Sequence, residues 1–153
     1  MRNLYANVMQ SRPEIIVWPE LQILANSVEQ CIETAQNIFS ENYNLHEYSA
    51  VGCGYPPVAS FALLMRKNQV IGLYSKHRSV WFVGGADGPT QGYTTFPLNL
   101  SVGTVYVAIL ISFDTDFPLS IDADLVLVPS HDVRAALRNH YWVSVFRAIE
   151  NGV

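Results

Sequence analysis

Charge is what this sequence has least of. Of its 153 residues only 14% are Asp, Glu, Lys or Arg, against about 25% in an average globular domain. With 50% hydrophobic residues, the chain is far from the charged, apolar-poor composition that keeps a segment disordered. The shortage leaves apolar surface to be covered, which predicts a homo-oligomer or a protein partner. The formal net charge is −4. A basic field of the kind that neutralises phosphate is therefore missing, and a nucleic-acid partner would need a local cluster of cations.

Cysteine is scarce too. Cys31 and Cys53 are the two in the chain, with no CxxC pair, and isolated thiols of this kind predict a reduced, buried state, with a Cys31–Cys53 disulfide as the minority reading. Met1-Arg2-Asn3-Leu4 has no apolar core of a secretory leader, so the expected location is cytoplasmic. The longest apolar run, Val102 to Phe113, falls short of the ~20 residues a spanning helix requires, so no membrane partner is expected. His46, His77, His131 and His140 show neither HxH nor HxxxH spacing. No metal ligand set and no cofactor are predicted from them.

What remains fits one α+β domain spanning 1–153, a length close to the common ~100–150 residues. Trp18-Pro19-Glu20 opens a stretch in which Leu21, Leu24, Val28, Ile32, Ala35 and Phe39 recur at three- and four-residue spacing, which predicts a long N-terminal helix. Gly52, Gly54, Pro56 and Pro57 rule out a regular helix in the polar stretch from Ser40 to Pro57. Phe61 to Met65 and Val70 to Tyr74 flank a polar turn and predict a hairpin. Val80 to Val83 is a third strand or an extension of the second, and Gly84 to Gly92 is loop. Thr104 to Phe113 and Asp124 to Val128 predict buried strands. A shorter C-terminal helix starts at Ser130 as N-cap, and Tyr141 to Phe146 alternates as a last strand. The expected fold is α+β, a mixed central sheet of about five strands carrying the two helices.

Chemistry-bearing patterns are sparse. Asp114 and Asp116, and Asp122 and Asp124, stand at the i,i+2 spacing that puts carboxylates on one face of a strand; beside the Phe117-Pro118 turn they predict soluble strand ends. Val51-Gly52-Cys53-Gly54 sets a thiol in a glycine turn but lacks the G-x-S-x-G pattern.

The segment from Pro57 to Ser79, PVASFALLMRKNQVIGLYSKHRS, resembles the core hairpin of PD-(D/E)XK nucleases. The order of elements between residues 19 and 146 is similar as well. Ser60 and Tyr74 stand where that family has its two acids, and Lys76 alone matches. Two carboxylates hold the divalent ion there, and here they are replaced. Low charge, aromatic content and the missing catalytic constellation predict a non-catalytic protein-interaction module of inhibitor or immunity type, which the resemblance would set on a degenerate nuclease-like scaffold. Phe82, Tyr93, Phe96, Tyr141 and Trp142 would be its interface anchors. The alternative is a magnesium-dependent nuclease with relocated acids. Lys76 would be its catalytic lysine, Glu33 or Glu29 would supply carboxylate, and Arg66, Lys67, His77 and Arg78 would contact nucleic-acid phosphate. A small enzyme acting through Cys53 or the 84–92 loop is a third class.

Overall fold

The computed structural model describes residues 13–40, 46–55, 59–77, 93–116, 121–131 and 137–151. Along the chain these form β1 (Ile15–Val17), β2 (Ile23–Leu24), α1 (Val28–Ser40), β3 (Tyr48–Tyr55), β4 (Ala59–Arg66), β5 (Gln69–Ser75), β6 (Thr95–Leu100), β7 (Gly103–Ile109), a 3₁₀ turn (Ser112–Asp116), β8 (Leu125–Leu127) and α2 (Leu137–Asn151). The chain is α+β as expected, but its strands make two sheets. One is ordered β1-β3-β4-β5, with β2 also paired to β3, and the other β6-β7-β8. β1 and β2 both run parallel to β3, and β3, β4 and β5 are antiparallel neighbours.

β4 shows why the first sheet has apolar residues on both faces. Ala62 and Leu64 join Leu98, Val107, Ile109 and Ile111 in a core between the two sheets. Phe61, Leu63 and Met65, the alternate residues, pack with Cys31, Ala35 and Phe39 of α1 on the opposite face. A strand buried on both faces reads as a continuous apolar run rather than an alternation. Side chains such as Phe61 or Leu63, taken fully out of water, each contribute about 1.5–3 kcal/mol.

The long N-terminal helix is shorter than its periodicity suggests. Leu21 has φ 57°, in the left-handed region that a helix cannot pass through, and Ile23–Leu24 pairs with Cys53 and Gly54 of β3. The helix starts instead behind Ser27. The Ser27 Oγ accepts the Gln30 N–H at 3.2 Å, and Gln30 Oε1 accepts the Asn26 N–H at 2.7 Å, a reciprocal cap closely related to the capping box.

Tyr48–Tyr55, where the sequence excludes a helix but gives no sign of a strand, is the central strand that pairs with β1, β2 and β4. Its glycines are there for space. A Cβ on Gly52 would overlap the Pro19 carbonyl oxygen and the Glu20 Cα, and glycine within a strand commonly marks such a backbone approach. β6 (TFPLNL) was hidden by Pro97, which is exposed on a strand whose one described partner is β7, a position that tolerates proline. Tyr141 to Phe146 is helical, not a strand, within Leu137–Asn151. Six residues of mixed alternation do not distinguish the two periods. The Val80 to Val83 strand and the 84–92 loop lie outside the described residues.

Cys31 and Cys53, expected as free thiols, are joined as a disulfide between α1 and β3, and both are fully buried. No described helix is long and apolar enough to cross a membrane.

Gly52→Ala is predicted to cost about 1–3 kcal/mol, as overpacking typically does, because the Pro19-Glu20 backbone must lift from β3. Urea unfolding measures it. An unchanged midpoint would show that this contact is slack.

Candidate active site

The Pro19-Glu20 turn follows β1 and crosses above Gly52, which carries Glu20 over the first sheet. There its carboxylate meets Lys76, the first residue after β5. Lys76 Nζ lies 2.7 Å from Glu20 Oε1, with 3% and 6% of the two side chains exposed. Ser60 completes the contact. Its Oγ donates to the same Oε1 at 2.8 Å, and its carbonyl accepts the Lys76 N–H at 2.9 Å. The Ser60 and Lys76 ends of the hairpin therefore both close on one oxygen of Glu20. Desolvating two charges costs several kcal/mol per ion, offset by their attraction only where geometry and further hydrogen bonds are good.

The second sheet supplies the other half. β7 ends at Ile109, and the chain passes through Leu110 and Ile111 into the 3₁₀ turn at Ser112. Ser112 has φ 45°, a left-handed conformation that serine adopts at a cost, and it is buried. Its N–H donates to the Pro129 carbonyl at 3.1 Å, while the next carbonyl, that of Ser130, accepts the Glu20 N–H at 3.4 Å. Pro129-Ser130 thus bonds Ser112 with one residue and Glu20 with the next, and successive Cα atoms are ~3.8 Å apart.

A second tie comes from Asp114, whose side chain is fully buried. Its carboxylate accepts the Tyr74 hydroxyl at 2.8 Å and the His77 N–H at 3.2 Å, which fastens the turn of Ser112 to the strand end carrying Lys76. Burial, and then the charge of Asp114, hold the Tyr74 hydroxyl well above its ordinary pKa, so it stays protonated and donates. The His77 ring lies between Tyr74 and Tyr93, with centroids 5.1 and 5.0 Å away. The arrangement joins a carboxylate, an ammonium and a hydroxyl on a strained turn, the parts from which an activated nucleophile and a charge stabiliser are made.

Lys76, the expected catalytic lysine, has Glu20 as its partner rather than Glu33, which is exposed on α1. The basic cluster does not form as one patch. Arg66 and Lys67 are exposed at the β4–β5 turn and pair with Glu47. Lys76 is buried at the far end of the same hairpin, roughly 20 Å away at ~3.3 Å per residue. His77 is half-buried beside Lys76, and Arg78 lies outside the described residues. Of the aromatic anchors, Tyr93 packs on His77, and Phe96 lies against Gly72. Tyr141 and Trp142 are exposed on α2, and Phe82 lies outside the described residues. Among the described residues no three His, Cys, Asp or Glu side chains gather to hold a metal ion.

Glu20, Ser60, Tyr74, Ser112 and Asp114 were passed over as site residues. Glu20 looked like a helix N-terminal acid and Asp114 like a soluble strand end. A single acid closing the apolar run IIVWPE, and a serine and an acid closing AILISFD, were the available signals.

No protein-family model and no curated protein sequence matches the chain. Solved structures do. The chain is similar to an amidase from Nesterenkonia sp. AN1, in a glutamate-to-glutamine mutant with the acetamide moiety of fluoroacetamide added covalently at the active-site cysteine. The TM-score is 0.71 and the identity 16%, over 99% of this chain and 66% of that one. A cysteine-to-alanine mutant of the same amidase, described as belonging to the nitrilase superfamily, gives a TM-score of 0.69 at 18% identity over the same shares. A glutamine-dependent NAD+ synthetase from Acinetobacter baumannii gives 0.51 at 15% identity, over 90% of this chain and 31% of that one. The chain spans 66% of the length of the amidase chains just described. In fold the chain is therefore similar to two thirds of a nitrilase-superfamily amidase, and the PD-(D/E)XK resemblance is overturned. The relocated-acid nuclease falls with it, and the likeness to amidases with an active-site cysteine contradicts the non-catalytic inhibitor or immunity-type module. A hairpin followed by a lysine is too common a pattern to distinguish the two folds.

Lys76→Met is predicted to destabilise the chain by about 3–5 kcal/mol, because it leaves Glu20 charged and unpaired in the interior. Adding Glu20→Gln should recover a large part of the loss. Denaturant unfolding of both variants checks this; equal stability of wild type and Lys76→Met would contradict a buried pair.

Proposed function

We propose that this chain carries the reacting site of an acyl-transfer hydrolase that cleaves amide or ester bonds, with Ser112 as nucleophile. The observation that supports it best is the joining of the buried Glu20–Lys76 pair to a serine at positive φ, through Pro129-Ser130 and Asp114. The fold likeness to an amidase whose active-site cysteine takes an acetamide moiety supports the same reading. Neither cysteine of this chain is free for that part, since Cys31 and Cys53 are bonded to each other in the helix-side core.

In the proposed reaction the Glu20 carboxylate takes the proton of the Ser112 hydroxyl as Oγ attacks the substrate carbonyl carbon. A hydroxyl is a weak nucleophile at its own pKa, so a positioned base is required. The carbonyl oxygen becomes an anion, and the Lys76 ammonium stabilises it in a site shielded from water. The bond to nitrogen or oxygen then breaks, Glu20 returns the proton to the leaving group, and an acyl ester remains on Ser112. Water, deprotonated by Glu20, attacks the acyl ester, the bond from the acyl carbon to Ser112 Oγ breaks, and Glu20 returns the proton to Oγ as the carboxylic acid leaves. With Lys76 and Ser60 both donating to Oε1, Oε2 is the oxygen assigned to proton transfer. Asp114 and Ser60 act as positioning residues.

Hydrolysis of short aliphatic amides and of their p-nitrophenyl esters tests this. Ser112→Ala is expected to lower kcat/KM by ~10³-fold or more, the scale on which removal of a nucleophile acts. Ser112→Cys is expected to retain turnover and to become alkylated by fluoroacetamide. Undiminished hydrolysis by Ser112→Ala would remove the nucleophile assignment.

A further inference from the structure

Ser130 is not needed for the two backbone bonds its segment makes, since both use carbonyl oxygens. Its side chain is another matter. The Ser130 Oγ is shut off from solvent and has no hydrogen-bond partner among the described residues. The N-cap role its sequence position suggests is not filled by any described backbone amide. Buried hydroxyls are nearly always paired, and an unpaired one calls for an explanation at the site where it occurs. Here that site is the junction between Glu20 and Ser112, since Pro129-Ser130 is bonded to both. A hydroxyl both donates and accepts, which suits a carbonyl oxygen and an amide N–H alike.

We propose that Ser130 is a substrate-binding residue whose hydroxyl hydrogen-bonds the carboxamide or ester group presented to Ser112. The assignment rests on the acyl-transfer reading and deepens it. In the free chain the hydroxyl stays unpaired at a cost to stability, and the bound acyl group relieves it. Binding energy is thus placed beside the reacting carbon, as preorganised polar groups in a closed site require. The trade is one recognised at functional sites, where unsatisfied groups lower stability and serve ligand recognition.

The test uses the full chain with Ser112→Ala, which holds substrate without turning it over, and propionamide as probe. Its dissociation constant is measured calorimetrically for Ser112→Ala, for Ser112→Ala with Ser130→Ala, and for Ser112→Ala with Ser130→Thr. Removing the hydroxyl is expected to weaken binding by roughly tenfold, the factor that one ordinary hydrogen bond represents. Threonine should restore it, and the Ser130→Ala protein should melt at the same temperature or higher. In otherwise wild-type chain Ser130→Ala should raise KM more than it lowers kcat. Equal affinity with and without the Ser130 hydroxyl would overturn the assignment while leaving the acyl-transfer site intact. Weaker binding accompanied by a lower melting temperature would also overturn it, marking Ser130 as structural. Failure of Ser112→Ala itself to bind propionamide would overturn both.

Discussion

The buried ion pair between Glu20 and Lys76 is the constraint around which the first sheet is arranged. Its two members come from strands that are not neighbours, since β3 and β4 lie between β1 and β5. Strands are ~4.8 Å apart in a sheet, so the carboxylate must be carried across two of them. The Pro19-Glu20 turn does so by lying directly on Gly52, and Leu21 at φ 57° turns the chain back into β2. From the other side, the pairing of Phe61 with Ser75 sets Ser60 beside Lys76, and both side chains meet Oε1. Were the two ions merely structural, an apolar pair of like volume would serve as well or better.

The second sheet brings the part that the ion pair lacks. β7 and β8 run parallel, with Val107, Ala108 and Ile109 opposite Leu125, Val126 and Leu127, so the ends of both strands lie on the same side. Ser112 and Pro129-Ser130 therefore emerge together, and their backbone bond extends the pairing by one step. Asp114 then reaches across to β5. Two sheets packed on one core thus contribute Ser112 from one and Glu20 and Lys76 from the other. The site depends on their packing rather than on any single loop.

Much of the secondary structure could be read from local pattern. The hairpin of β4 and β5, the buried strands β7 and β8, and the presence of a helix ending near Phe39 follow from apolar runs and spacing. What could not be read was set by tertiary contact. Gly52 and Gly54 look like loop residues because nothing local announces the backbone that packs on Gly52. Leu21 and Leu24 continue a helical period by coincidence. Two sheets rather than one depended on β6, whose proline hid it. For the site, Lys76 stood out because it matches the lysine of the nuclease pattern, whereas Glu20 lies 56 residues away and looks like a helix N-terminal acid. Asp114 looked like a soluble strand end because sequence pattern does not reveal that Tyr74 and the His77 amide surround it. The PD-(D/E)XK resemblance failed for the same reason. It compared a motif of one hairpin, while the fold lies in how that hairpin meets β1 and the second sheet.

The most direct measurement is the mass of the intact wild-type chain quenched shortly after mixing with p-nitrophenyl acetate, followed by peptide mapping of any adduct. An acetyl group on Ser112, absent when Glu20 is replaced by Gln, is the result expected of an oxygen nucleophile activated by the buried carboxylate. An unmodified chain, or an acetyl group confined to other side chains, would contradict it.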